Sequence, residues 1–196
     1  PNIFQSVRSA GKVTAAAAYY WYSELYNRAP YDRVDDKETD DESLNIQHGR
    51  FYTEDEYPDV ELFASAAHLV RKFSPDYLLL HPMGMDYFGE TYGSDSKEYR
   101  NHAVHQDSKL APFIMEWKER GYIIFVTGDH GINKDGAHGG TTPQQRTVPF
   151  FVIHPQGGAR REVDESISHL QIAPTILKLL NVPIPETMKE KPLAFD

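Results

Sequence analysis

The sequence contains no cysteine and no long apolar run, and each absence excludes a class of protein. Without cysteine the chain can build neither a disulfide framework nor a thiolate metal site, so Asp, Glu, His and water must hold any metal. No apolar run approaches the roughly 20 residues of a transmembrane helix, and no signal peptide is visible. We therefore predict that this chain carries no membrane segment and that it is cytoplasmic.

Basic residues are also scarce: the chain has 20 Lys and Arg against 29 Asp and Glu, which gives a formal net charge of −9. A charge of that sign argues against a nucleic-acid backbone as the main partner. It leaves nucleotides and other phosphate esters open as ligands, because bound cations would invert the local sign. The 196 residues, 40% of them hydrophobic, predict a single domain over residues 1–196 with a sizeable core.

Buried strands alternate with amphipathic helices along the chain. The pattern predicts strands over residues 12–18, 77–81, 122–126 and 148–154, and helices over 1–10 and 59–73, from about 96, and from 168 or 169. Pro112 either breaks the third of these helices or starts a new one. Strands that alternate with helices in this way predict an α/β fold with a mostly parallel sheet covered on both faces.

Several shorter segments have a local interpretation. Residues 23–28 are predicted to form one helical turn capped by Ser23, and residues 81–90 a polar loop after a strand. The aromatic cluster at 19–22 is assigned to core packing, with the lining of a substrate pocket as the alternative. The acidic run at 35–42 is predicted to be a solvated loop, because a calcium loop would need the EF-hand spacing and central glycine that are missing here. We interpret His68, His102 and His105 as ordinary helix residues.

Most of the chemistry is carried by residues 121–140, GYIIFVTGDHGINKDGAHGG. A buried strand ends there, and Asp129, His130 and His138 follow among glycines. In open α/β sheets ligands bind at the carboxyl ends of strands, and carboxylate and imidazole are ligands for a divalent metal such as zinc. Glycine lets neighbouring side chains converge on one point. The alternative is a glycine-rich turn with solvated polar residues.

The order of these motifs is informative: an apolar strand, T-G-D-H-G, H-G-G and a V-P-F strand. It resembles the metal-binding core of the alkaline phosphatase superfamily, and in particular the type I phosphodiesterase/nucleotide pyrophosphatase branch. The resemblance covers roughly residues 1–185 and implies a three-layer αβα sandwich with a mostly parallel central sheet. It also implies that Asp129 and His130 bind one metal and that His138 binds its neighbour.

A further motif precedes this region. The family carries D-x-x-G-H after the preceding strand, and the matching residues here run from Asp86 to Glu90, with glutamate in place of histidine. The resemblance implies that Asp86 binds the same metal as His138. If Glu90 also binds it, the site has two carboxylates and one imidazole, a set that zinc accepts and that suits manganese better than an imidazole-rich set does. The alternative is that Glu90 points to solvent.

The resemblance implies two divalent metal ions, zinc or alternatively manganese, about 4 Å apart, and a phosphate-ester or nucleotide-like small molecule as substrate. It also implies a threonine or serine nucleophile at a helix N-terminus. We find none: the first aspartate is Asp32, and Thr14 lies inside a strand-like run. The chain thus looks like the C-terminal two thirds of a catalytic domain with its N-terminal part missing.

Two function classes follow. The first is a metal-dependent hydrolase of phosphate esters, of the phosphodiesterase/nucleotide pyrophosphatase type, seen without its nucleophile segment. The spacing at Asp86 favours this type over sulfatase and phosphomutase relatives. The second is a catalytically inactive metal-binding remnant or interaction module of the same fold. In either case we predict that this chain alone has little or no activity.

Overall fold

The computed structural model describes residues 1–158, 162 and 165–194. These residues form two compact units. The first unit comprises Pro1–Tyr52, His68–His81 and the described part of Arg161–Asp196. The second comprises Thr53–Ala67 and the described part of Pro82–Arg160. A single domain over residues 1–196 stays a prediction.

Thirteen regular elements, besides a short 3₁₀ turn at His169–Gln171, are found in the described residues. The strands are β1 Thr14–Tyr19, β2 Glu38–Asp40, β3 His48–Tyr52, β4 Tyr77–Leu80, β5 Ile124–Thr127 and β6 Phe150–Ile153. The helices are α1 Ile3–Ser9, α2 Trp21–Tyr26, α3 Asp59–Phe73, α4 Gly84–Tyr92, α5 Lys97–Glu119, α6 Pro143–Arg146 and α7 Ile172–Leu179.

The first unit contains a four-stranded sheet in the order β2-β3-β1-β4. Strand β1 pairs parallel with both β3 and β4, and only β2 is antiparallel to its neighbour. The predicted α/β class with a mostly parallel sheet is therefore confirmed. Every residue of β1 is buried, as expected of a strand covered on both faces. Its alanines leave room for the larger side chains around them, among them Phe4, Ile46 and Phe51.

The aromatic cluster at 19–22 belongs to this core only in part, because the Trp21 side chain is 48% exposed. The Tyr19 ring is buried and lies edge-on to Tyr52, with ring centroids 5.2 Å apart, and Tyr22 packs against the same core. Helix α2 begins at Trp21, so Ser23 lies inside it as a buried residue and does not cap it. The prediction of a Ser23 cap was wrong because the aromatic residues before it are already helical.

The acidic run also differs from its prediction as a solvated loop. Its centre is strand β2, in which Thr39 is buried while its two neighbours are exposed. Asp36 is buried as well, and its carboxylate accepts hydrogen bonds from the Arg28 guanidinium and from the Asp32 backbone N–H. Alternation of exposed acids with one inward hydroxyl lets this segment form an edge strand.

In the second unit the long helix α5 continues through Pro112, so the predicted break is wrong. Pro112 and Ser108, whose carbonyl loses its helical partner, are both exposed, and water can satisfy that carbonyl. Residues 84–92 form helix α4, which corrects the prediction of a loop over 81–90.

Strand β5 pairs antiparallel with β6. We expected β5 to join a parallel sheet, and the described residues show otherwise. The segment between the two strands contains only the four-residue helix α6, which is too short to serve as the crossover helix that links parallel strands.

Candidate metal centre

Helix α4 carries two of the predicted ligands on one face. Asp86 and Glu90 are four residues apart, so their side chains lie one above the other along the helix. The start of the helix is fixed from a distance: the Gly84 backbone N–H donates to Asp59 Oδ1 over 3.2 Å. This contact holds the first turn of α4, and therefore Asp86, against the beginning of α3.

Asp59 is itself the centre of a buried polar cluster. Its Oδ2 lies 2.9 Å from His102 Nε2 and accepts a hydrogen bond from the Gln106 amide over 2.9 Å. The His102 ring stacks on Phe88 of α4, with ring centroids 4.2 Å apart. His102 therefore supports the helix that carries Asp86. The available sequence signal was that His102 and Gln106 fall on the buried stripe of α5.

The loop after β5 supplies the next two side chains. Asp129 Oδ1 accepts a hydrogen bond from the His130 backbone N–H over 3.0 Å. Thr127, the last residue of β5, donates its hydroxyl to the Pro149 carbonyl over 2.8 Å. The end of the strand is thereby fixed to the segment that leads into β6. Asp129 and His130, whose side chains are of types that can bind metal, come shortly after this strand end.

His138 lies at the end of a tight loop organised by Asn133. The Asn133 side-chain oxygen accepts hydrogen bonds from the backbone N–H groups of Asp135 and Ala137 over 3.0 and 2.9 Å. Gly136 has a φ of 78°, and a Cβ there would lie 2.5 Å from the Glu90 carbonyl oxygen. Only glycine allows both the left-handed backbone and this approach to α4.

These segments bring their side chains to one point. Asp86 Oδ1 lies 3.6 Å from His130 Nε2 and 3.9 Å from His138 Nε2. The two imidazole rings stack with centroids 4.2 Å apart. Glu90 Oε1 lies 2.8 Å from His138 Nε2, and Asp129 Oδ2 lies 3.8 Å from His130 Nε2. We call these five residues the acid–histidine cluster; every site residue predicted from the sequence belongs to it.

The electrostatics of the cluster favour a cation. Asp86 Oδ1 is buried and has no hydrogen-bond partner among the described residues. Burial and the neighbouring Glu90 carboxylate raise the pKa of Asp86, and the two histidines only partly oppose them. One ligand atom each from Asp86, His130 and His138 lies within 4.8 Å of the others, so these three residues fit a single metal ion. A divalent cation would provide the partner that Asp86 Oδ1 lacks.

Comparison with known proteins shows to which family the chain belongs. The family model described as Sulfatase matches residues 1–182. The chain belongs to the sulfatase family. The sulfatase family is part of the alkaline phosphatase superfamily, so the superfamily predicted from the motifs is confirmed, whereas the nucleotide pyrophosphatase branch is not supported.

Several curated relatives are similar to parts of this member of the sulfatase family. GPI ethanolamine phosphate transferase 2 of Candida albicans is 30% identical over 122 residues, 57% of this chain and 14% of the relative. The same enzyme of Schizosaccharomyces pombe is 27% identical over 130 residues, 57% of this chain and 17% of the relative. The human GPI ethanolamine phosphate transferase 3 catalytic subunit is 28% identical over 113 residues, 56% of this chain and 10% of the relative.

The chain thus spans at most 17% of the length of these relatives. No helix in the described part of the chain has both the length and the apolar composition that crossing a bilayer requires.

Proposed function

We propose that the acid–histidine cluster binds divalent metal and serves the transfer or hydrolysis of a phosphoester. The observation that carries this proposal is the buried Asp86 Oδ1, without a hydrogen bond among the described residues, which faces two imidazole nitrogens at 3.6 and 3.9 Å. Two neutral imidazoles and a buried carboxylate form a donor set for zinc or manganese. Membership of the sulfatase family supports the same chemistry.

The residues have distinct tasks in this proposal. Asp86, His130 and His138 would hold one metal, which differs from the pairing of Asp129 with His130 that the resemblance implies. Asp129 and Glu90 are the additional carboxylates that a second metal or a wider coordination shell would use. A bound divalent metal supplies positive charge that stabilises the oxygens of a phosphoryl group. Without that charge, the three carboxylates of the cluster would repel a phosphoester. A site for two metals remains part of the proposal.

For the substrate, we propose an ester of ethanolamine phosphate. The named relatives are ethanolamine phosphate transferases, and transfer to an acceptor alcohol uses the same phosphoryl chemistry as hydrolysis. The nucleotide-like substrate predicted from the motifs is the second candidate, because both ligands present a phosphate monoester or diester to the metal.

The nucleophile is not Thr14. Its side chain is fully buried, and its hydroxyl donates to the Asn45 carbonyl over 2.7 Å. This burial agrees with the inference from the sequence, and it keeps the inactive metal-binding module as the alternative function of this chain.

Metal titration tests the proposal. Zinc and manganese would be titrated into the wild-type chain, into His130→Ala, and into His68→Ala, whose histidine is exposed on α3. We expect His130→Ala to lose at least about tenfold in zinc affinity, because one of three ligands is gone, and His68→Ala to match the wild type. Equal affinity for His130→Ala and the wild type would contradict the proposal. The zinc-loaded chain should then bind phosphoethanolamine in preference to a nucleoside monophosphate.

A further inference from the structure

A buried glutamine connects the two loops that carry the histidines. Gln145 lies in the short helix α6 and is only 8% exposed. Its side-chain amide donates to the Ala137 carbonyl over 3.1 Å, directly before His138. Its backbone carbonyl accepts a hydrogen bond from the Gly131 N–H over 3.0 Å, directly after His130. One residue thus holds both loops through their backbones.

The orientation of this amide is determined by its partners. Gln145 Oε1 accepts hydrogen bonds from the Thr142 hydroxyl over 2.8 Å and from the Thr142 backbone N–H over 3.4 Å. A backbone N–H can only donate, and the Ala137 carbonyl can only accept. The oxygen must therefore face Thr142, and the NH₂ group must face the loop of His138.

The loop passes very close to this side chain. A Cβ atom at Gly140 would overlap Gln145 Oε1, so a larger residue there would push the glutamine amide away from its observed position. This close approach gives the second glycine of the motif a physical reason: it lets the backbone after His138 lie against Gln145.

Metal binding would make this contact more important. In the structure Glu90 holds His138 through Nε2, over 2.8 Å, and the same nitrogen faces Asp86. A metal held by Asp86 would take that nitrogen away from Glu90. The position from which the ring reaches the metal would then depend on its backbone, which Asn133 and Gln145 fix through Ala137.

We propose that Gln145 is a positioning residue that sets the separation of His130 and His138 for metal binding. This inference rests on the proposed function, because it assumes that the two histidines are ligands. Gln145 itself touches neither the metal nor the substrate in this account. It acts through the backbone atoms next to each histidine.

The test compares the same substitution at two adjacent positions. Gln145→Glu places an oxygen opposite the Ala137 carbonyl, where a donor is required. Gln144→Glu makes the same change of charge at the neighbouring exposed glutamine. We expect Gln145→Glu to lower zinc affinity about 10- to 100-fold, the usual effect of changing an outer-shell partner of a metal ligand. Gln144→Glu should stay within about threefold of the wild type.

A spectroscopic measurement separates positioning from a general loss of stability. Cobalt(II) absorption reports the coordination geometry of the folded fraction, and we expect it to change in Gln145→Glu but not in Gln144→Glu. In the metal-free protein, amide hydrogen exchange should accelerate at Gly131 and Ala137, whose backbone N–H groups are hydrogen-bonded, in Gln145→Glu. Identical zinc affinity and cobalt spectra for the two variants would overturn the inference.

Two further arms keep the result unambiguous. If Gln145→Glu fails to fold, Thr142→Val replaces it, with the exposed Thr141→Val as its control. Zinc affinity of Thr142→Val equal to that of Thr141→Val then overturns the inference, and a selective loss supports it. If His130→Ala loses zinc while the Gln145 pair shows no difference, only the inference fails; if His130→Ala keeps zinc, the proposed function fails as well.

Discussion

Glu90 is the residue at which this chain departs from the D-x-x-G-H motif, and the structure gives its side chain a partner. It contacts His138 over 2.8 Å and is about half exposed, at 51%. The motifs predicted Asp86, Asp129, His130 and His138 as ligands, and the structure brings these side chains together. Their binding of metal stays a prediction. The contacts of Gln145 could not be predicted, since they are made to backbone atoms of Gly131 and Ala137 and no spacing in the sequence marks them.

We predict that Glu90→His raises zinc affinity relative to manganese. An imidazole in place of a carboxylate makes the site softer and less anionic, which favours zinc over the oxygen-preferring manganese. Competitive titration of both metals into the wild type and Glu90→His measures the ratio, with Glu119→His, an exposed acid of the same unit, as the control. An unchanged ratio would mean that Glu90 does not contact the metal.

Among the helices and strands, those defined by residues close in sequence were predicted, and those that depend on distant residues were missed. Helix α3 was predicted with its observed bounds because its own apolar stripe, including Phe63, Ala66 and Val70, defines it. Helix α4 was missed because its sequence contains two glycines and its first N–H is satisfied by Asp59, 25 residues earlier. Strand β2 was missed for a related reason: its stability depends on partners in β3 and α3.

The partners of Asp40 in β2 predict that the stability of the fold depends on pH. Burial opposes ionisation of Asp40, but the Arg50 hydrogen bond and charge, together with His48 and Lys72, leave its pKa below the ordinary value. A lowered pKa in the folded state means that the carboxylate stabilises the fold above its unfolded pKa of about 3.9. This contribution is lost as the pH falls through the lower folded pKa.

We therefore expect Asp40→Asn to lower the free energy of unfolding near neutral pH by at most about 1 kcal/mol, since the pair is partly exposed. The difference from the wild type should shrink as the pH falls below the unfolded pKa of about 3.9. Urea unfolding at several pH values measures it, with Glu42→Gln, an exposed acid just after the same strand, as the control. A difference that stayed constant with pH would contradict the lowered pKa of Asp40.

For the whole molecule, the α/β class and the superfamily could be predicted, because hydrophobic periodicity and motif order are properties of the sequence alone. The pairing of β5 with β6 could not, because an apolar run does not specify the direction of its neighbour. The complete acid–histidine cluster lies in the second unit, within Pro82–Arg160. Which phosphoester the site prefers remains part of the proposed function.

A last prediction for the whole molecule concerns whether this chain can catalyse a reaction by itself. We predict little or no turnover of a chromogenic phosphodiester by the 196-residue chain with zinc or manganese, because we identify no nucleophile among its residues and removing one costs several orders of magnitude in rate. A release assay with the metal-loaded chain measures this, with a chelator and His130→Ala as controls. Robust turnover abolished by both controls would show that the chain contains a nucleophile.

Gly136 limits how this site can be engineered. Its positive φ and its closeness to the Glu90 carbonyl mean that the position of His138 depends on a residue without a side chain. Grafting the five charged and imidazole side chains onto another scaffold would therefore not reproduce the centre unless that glycine were carried along. In a library that randomises residues 134 to 137 and is screened for zinc binding, position 136 should tolerate the fewest replacements, although it contributes no ligand atom.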